Sequence, residues 1–194
     1  MIDICTNCPM RLFNEKHYNL QGIGNPFCGK VIVVPNVDYD AYKFGDMSYS
    51  HQVSLIQEVL GDRLEYHHSS TGVVMSNLYI VPLIRCNEQI SCPVDKVSYN
   101  RCLHLFANDV RKYDFKDILL LGEAARRFLS VDALKPYLDT MFVSKGNKRR
   151  YTVNYSPLIK HTGEYHYDIF KDNLIKWFNF TIEEDYSQYE IKMI

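Results

Sequence analysis

The chain has almost no net charge: 22 lysines and arginines stand against 23 aspartates and glutamates in 194 residues, a formal value of −1. Strong non-specific nucleic-acid binders carry a basic excess or a dense basic face, so any such contact here has to be local. Long apolar runs are also missing, and none approaches the roughly 18–20 residues that a spanning helix requires. The opening Met1-Ile2-Asp3-Ile4 has neither the basic stretch nor the apolar stretch that directs secretion. The expectation is a cytoplasmic protein that does not engage a membrane, in a compartment that keeps thiols reduced. Internal repeats, low-complexity tracts and Pro/Gly/Ser-rich linkers are absent as well. One domain over residues 1–182 is therefore expected, followed by a peripheral acidic tail over 183–194.

What is present is ordinary for a globular domain, with 46% apolar and 23% charged residues. Fifteen tyrosines and ten phenylalanines are many, and strands and core packing account for them. The apolar run 30–35 (K-V-I-V-V-P) predicts a strand buried on both faces of a parallel sheet. Apolar residues at Val53, Ile56, Val59 and Leu60 predict a helix over 50–60, ended by Gly61. Further strands are predicted over 73–84, 117–121 and 151–155, and helices over 98–113, 123–129 and 166–180. Strands interleaved with helices point to a three-layer α/β/α sandwich with a mainly parallel central sheet. Ligands of such sheets bind beyond the carboxyl ends of the strands, which directs attention to segments 35–49, 82–86, 122–125 and 156–163.

Four of the six cysteines form a pattern. Cys5 and Cys8 make a C-x-x-C, and Cys86 and Cys102 lie some eighty residues later with fifteen residues between them. In a reducing compartment paired cysteines read as metal ligands before disulfides. Four thiolates hold either zinc or an iron–sulfur cluster, and unrelated buried cysteines are the plainer alternative. Cys92 shares a loop with Cys86 and is a possible substitute for it. Cys28 and Cys92 otherwise read as inert thiols.

Set in order, these features resemble the iron–sulfur (family 4) branch of the uracil-DNA glycosylase superfamily, including its phage polymerase-associated relatives. The resemblance runs from Cys5 to about Trp177. It rests on the opening C-x-x-C; on Gly22-Ile23-Gly24-Asn25-Pro26 before the first strand; and on a strand running into Cys86 with Cys102 sixteen positions on. Leu121-Gly122-Glu123-Ala124-Ala125 and Asn154-Tyr155-Ser156-Pro157 complete it. The resemblance implies that Cys5, Cys8, Cys86 and Cys102 hold a [4Fe–4S] cluster, with zinc as the alternative. It also implies a DNA-binding groove across the strand ends, and a place beside a replication polymerase or another protein partner would fit it.

The chain departs from the family wherever the family's chemistry resides. Excision requires a flipped base held by stacking and edge hydrogen bonds, with stabilisation of the sugar cation and the departing anion. Where the family has a glutamate this chain has Asn36, with Asp38 nearby; an Asn orients a water, whereas an Asp can act as a base. The position of the stacking aromatic is Ser48, beside Tyr49. The asparagine that reads uracil is replaced by Pro82, and the histidine that stabilises the leaving anion by Ser156. Four departures in a legible scaffold imply loss of uracil excision. A glycosylase with changed base preference, using Asp38, Asn36 and a displaced His161, is the alternative. A protein-interaction module that no longer touches DNA is a third.

For nucleic-acid contact, the basic segment 145–150 offers Lys145, Lys148, Arg149 and Arg150 in a turn, a shape equally suited to a solvated hairpin. Tyr49, Ser156 and His161 are the candidates at the strand ends. Leu158 or Ile159 is a candidate duplex wedge, and Arg126-Arg127 lies near the same groove. His67-His68 is expected in a turn.

Overall fold

The computed structural model describes residues 5–14, 16–70, 72–88, 94–180 and 189–194. Continuous apolar runs become strands covered on both faces. In β2 (Lys30–Val37), Val31 and Val33 enter one core while Ile32 and Val34 enter the other. Strand β6 (Asp117–Leu121) divides in the same way, Ile118 and Leu120 against Leu119 and Leu121. Successive side chains of a strand point to opposite faces, so two such strands require a cover on each side.

Helices supply the covers. Helices α2 (Tyr39–Phe44), α3 (His51–Leu60) and α6 (Glu164–Asn179) close one face. Helix α6 presents Tyr167, Phe170, Leu174, Trp177 and Phe178, a stripe at helical spacing. Helices α4 (Lys96–Lys112) and α5 (Gly122–Leu129) close the other through Phe106, Val110, Ala124 and Ala125. A short α1 (Pro9–Phe13) lies near the amino end. The result is a three-layer α/β/α sandwich.

The seven-stranded sheet also contains β1 (Ile23–Gly24), β5 (Tyr79–Asn87), β7 (Thr140–Val143), β8 (Arg150–Asn154) and β9 (Glu190–Met193). Its order is β1-β5-β2-β6-β8-β7-β9. The four central strands are mutually parallel, β1 runs antiparallel to β5, and β7 runs antiparallel to β8. From β2 the chain steps to β5 on one side, then returns to β6 on the other. The topological switch, and the crevice it opens, therefore lies between the carboxyl ends of β2 and β6. Pro82 stands inside β5 opposite Val34, at a level that β1 does not reach, so no ladder on the outer edge is interrupted there.

Three expectations change. The predicted strand 73–84 is two strands: β4 (Gly72–Met75) pairs with β3 (Tyr66–Ser69) in a separate hairpin before β5 begins. Asn77 makes the break, donating to the Arg63 carbonyl and accepting from the Glu65 amide. His67 and His68 accordingly lie in β3 rather than in a turn. The end of the acidic tail is β9, paired in parallel with β7, and Tyr189 is buried against Phe180 and Met141. The tail thus ends in the sheet edge; its residues 183–188 lie outside the described ones.

Candidate functional site

Two neighbouring features occupy the carboxyl-end side of the sheet: a buried group of thiols and an open groove. The thiols come from three segments. Cys5 and Cys8 share a tight turn in which the Cys8 amide donates to the Cys5 carbonyl at 3.0 Å. Cys86 ends β5, and Cys102 sits in the middle of α4. All four are buried, between 4% and 6% exposed, and none of them is in a disulfide. Cys8, Cys86 and Cys102 pack with Met10 and Ile84 in a small core of their own, and the Cys8 thiol lies 3.5 Å from the Ser98 hydroxyl.

Burial pushes the Cys86 thiol up to about 12, and Cys102, Cys5 and Cys8 add to the rise because ionised sulfurs so close together repel. Burial raises Cys102 as well. Buried thiols without a compensating cation resist ionisation, and a bound metal supplies that compensation. Chemically, four thiols are the donor set that zinc or an iron–sulfur cluster takes. Among the described residues no three His, Cys, Asp or Glu side chains are arranged to hold one metal ion. Cys92 lies outside the described residues. Cys28 is half-buried elsewhere, its thiol directed at the Lys30 carbonyl.

The groove is set by a close approach. Gly122, the first residue of α5, has φ +52°, and a Cβ there would lie 2.8 Å from the Ser156 Cβ. A side chain at 122 would thus force the ends of β6 and β8 apart. One part of the groove, about 440 Å³, runs from Gly122 past Ser156 and Leu158 to His166. A more open part of about 700 Å³ continues over Lys96, Tyr99, Arg126 and Arg127. Tyr99 joins the two features: it packs beside the thiol core and carries the Arg127 guanidinium 4.9 Å above its ring. Glu123 pairs with both Arg126 and Arg127, at 3.1 and 2.8 Å, and Glu88 and Asp132 add negative charge along the groove.

The predicted site residues divide between the two edges of the sheet. Ser156, Leu158, His161 and Asp38 follow the carboxyl ends of strands, and Asn36 lies within the last residues of β2. Leu158 is exposed, while Ile159 packs into the core, so Leu158 is the one at the rim. The Ser156 hydroxyl accepts from the Leu158 amide and starts the turn Pro157–His161. Tyr49 is exposed and stacked on Phe44, with ring centroids 4.4 Å apart. The Asn36 amide lies 3.4 Å from Glu88.

Asp38 is occupied as an architectural group. One carboxylate oxygen accepts from the Ala41 amide, capping α2; the other accepts from the Ser50 hydroxyl at 2.6 Å and the Gln52 amide at 3.4 Å. It clasps the starts of two helices, as a capping residue does.

The basic turn does not join this groove. It precedes β8, a strand parallel to β2 and β6, so it lies at the amino edge of the sheet. Five residues of strand, on the order of 16 Å, separate it from Ser156. Arg150 is buried and paired with Asp117 across β6 and β8, and is not presented to a phosphate. Arg149 donates to the Phe115 carbonyl at 3.0 Å and pairs with Asp114. Of the three, only Lys148 is exposed. Sequence reasoning missed Tyr99 and Lys96 as groove residues and marked Glu123 only through the segment 122–125. Their signal was position, since Glu123 lies in the first turn of the helix after a parallel strand and the other two lie in the first turn of α4.

No family model matches the chain, and no curated protein is significantly similar to it. Among the described residues no helix is long and apolar enough to cross a membrane.

Proposed function

We propose that the chain is an iron–sulfur relative of the uracil-DNA glycosylases that has lost uracil excision and serves as a weak nucleic-acid-binding module in the cytoplasm, beside a replication protein. The observation that carries this reading is the convergence of Cys5, Cys8, Cys86 and Cys102 into one buried group next to the strand-end groove. The resemblance in sequence order, and a sheet that switches between β2 and β6, support it. The resemblance assigns a [4Fe–4S] cluster to the four thiolates, with zinc as the alternative. Bound there, it would pin the amino-terminal segment to β5 and α4 without taking part in bond cleavage.

Loss of excision is supported by what stands at the strand ends. Pro82 and Ser156 lack the groups that would read and stabilise uracil, and the Asp38 carboxylate is already committed to Ala41, Ser50 and Gln52. The groove offers Lys96, Arg126 and Arg127 to phosphates, partly offset by Glu123, so affinity is low and falls with salt. That same offset favours a second reading, a protein-docking module without DNA.

The test uses labelled single strands and duplexes, with and without uracil. Binding at low salt that weakens with added salt is expected, with no abasic sites formed. Replacing Arg126 and Arg127 by Gln should weaken binding more than Lys148→Ala does. Uracil-dependent strand breakage would overturn the reading, and no binding at low salt would leave the protein-docking alternative.

A further inference from the structure

His51 and His161 are 110 positions apart, and their Nε2 atoms meet at 3.1 Å. Their rings stack with centroids 5.4 Å apart and planes 26° apart, and both residues are exposed. Each backbone is held independently. His51 is the first residue of α3, whose cap, Ser50, accepts from the Val53 amide and donates to Asp38. His161 closes the turn Pro157–His161, which Ile159 anchors in the core. Lys160 of the same turn reaches the Glu58 carboxylate at 3.0 Å, a second tie to α3.

We propose that this pair is an open site for a divalent transition ion of the zinc, cobalt and nickel class, with Nε2 of His51 and Nε2 of His161 as cis ligands. Imidazole nitrogens bind zinc at about 2.0–2.1 Å, and at that length a separation of 3.1 Å subtends an angle of roughly 100° at the metal. Such an angle lies between octahedral and tetrahedral values. Neutral imidazole is the ligand form, and borderline ions suit it. No third His, Cys, Asp or Glu joins the pair among the described residues, so water completes the coordination and the ion remains exchangeable. A bound ion would staple the loop after β8 to the start of α3. The site uses none of the four thiols and stands whatever they hold.

The test is a Zn(II) titration of the ¹⁵N-labelled chain with its thiol centre already loaded, followed through the histidine ring nitrogens. The ring signals of His51 and His161 should shift together and saturate at one equivalent, while those of the remaining histidines stay in place. In His51→Gln the His161 response should disappear, and the affinity of this equivalent should fall at least tenfold; His161→Gln should do the same if the first variant does not fold. Unmoved rings in the native chain, or equal zinc uptake by the native chain and a folded variant, would overturn the proposal.

Discussion

Arg150 and Asp38 show how much a side chain's partners decide its role. Both are charged residues that the sequence offers to a site, and both belong to the framework. Arg150 is paired with Asp117 in register across two central strands, and its guanidinium lies 5.4 Å from the Phe180 ring centroid. Removing one member of a buried pair leaves the other charge stranded, so Arg150→Ala should destabilise the fold by about 3–5 kcal/mol. Lys148→Ala, two residues away, should leave the denaturant midpoint almost unmoved, and urea unfolding of the two variants checks both. Asp38→Ala should lower stability by about 1–2 kcal/mol through the lost cap, with no effect on DNA affinity. Equal stability in Asp38→Ala would mean that the clasp on Ala41, Ser50 and Gln52 does little. The inward role of Arg150 was not legible in the chain, because its partner lies 33 positions away. For Asp38 the cap on Ala41 is local, and only the bond to Ser50, 12 positions on, is not.

At the scale of elements, legibility followed continuity of pattern. Strands β2 and β6 and helices α3 and α4 carry unbroken apolar runs or clear helical spacing, and their boundaries lie close to those expected. Strands β7 and β9 have four residues each, too few to display a period, and their pairing is what makes them strands. Strand β4 was hidden because its apolar residues run on toward β5 with only Ser76-Asn77 between, and the Asn77 side-chain bonds that separate them are not local. The amino-edge position of the basic turn was in principle readable, since a loop that precedes a parallel strand cannot lie at the carboxyl ends. Gly122 is the element-scale counterpart, a junction where β6 meets α5 against Ser156. Gly122→Ala adds a left-handed strain to a 2.8 Å approach and should cost about 2 kcal/mol or more. Thermal melting measures it, and a melting temperature equal to that of the native chain would show that the two strand ends can move apart freely.

For the whole molecule, the thiol group ties otherwise distant parts together. Asn14, which donates to the Asn87 carbonyl and accepts from its amide, anchors the amino-terminal segment to the end of β5. Cys5 and Cys8 bring that segment to Cys86 and Cys102, and Tyr99 continues the contact to the groove. The four thiols converge in one buried group, and the groove beside them carries a mixed-charge surface. The most direct measurement is therefore the visible spectrum, with iron, sulfide and zinc content, of the chain purified without oxygen. The account predicts about four irons and four sulfides per chain, a broad visible absorbance that bleaches on reduction, and loss of both iron and colour in Cys86→Ala. One zinc per chain without iron, or no bound metal at all, would contradict it.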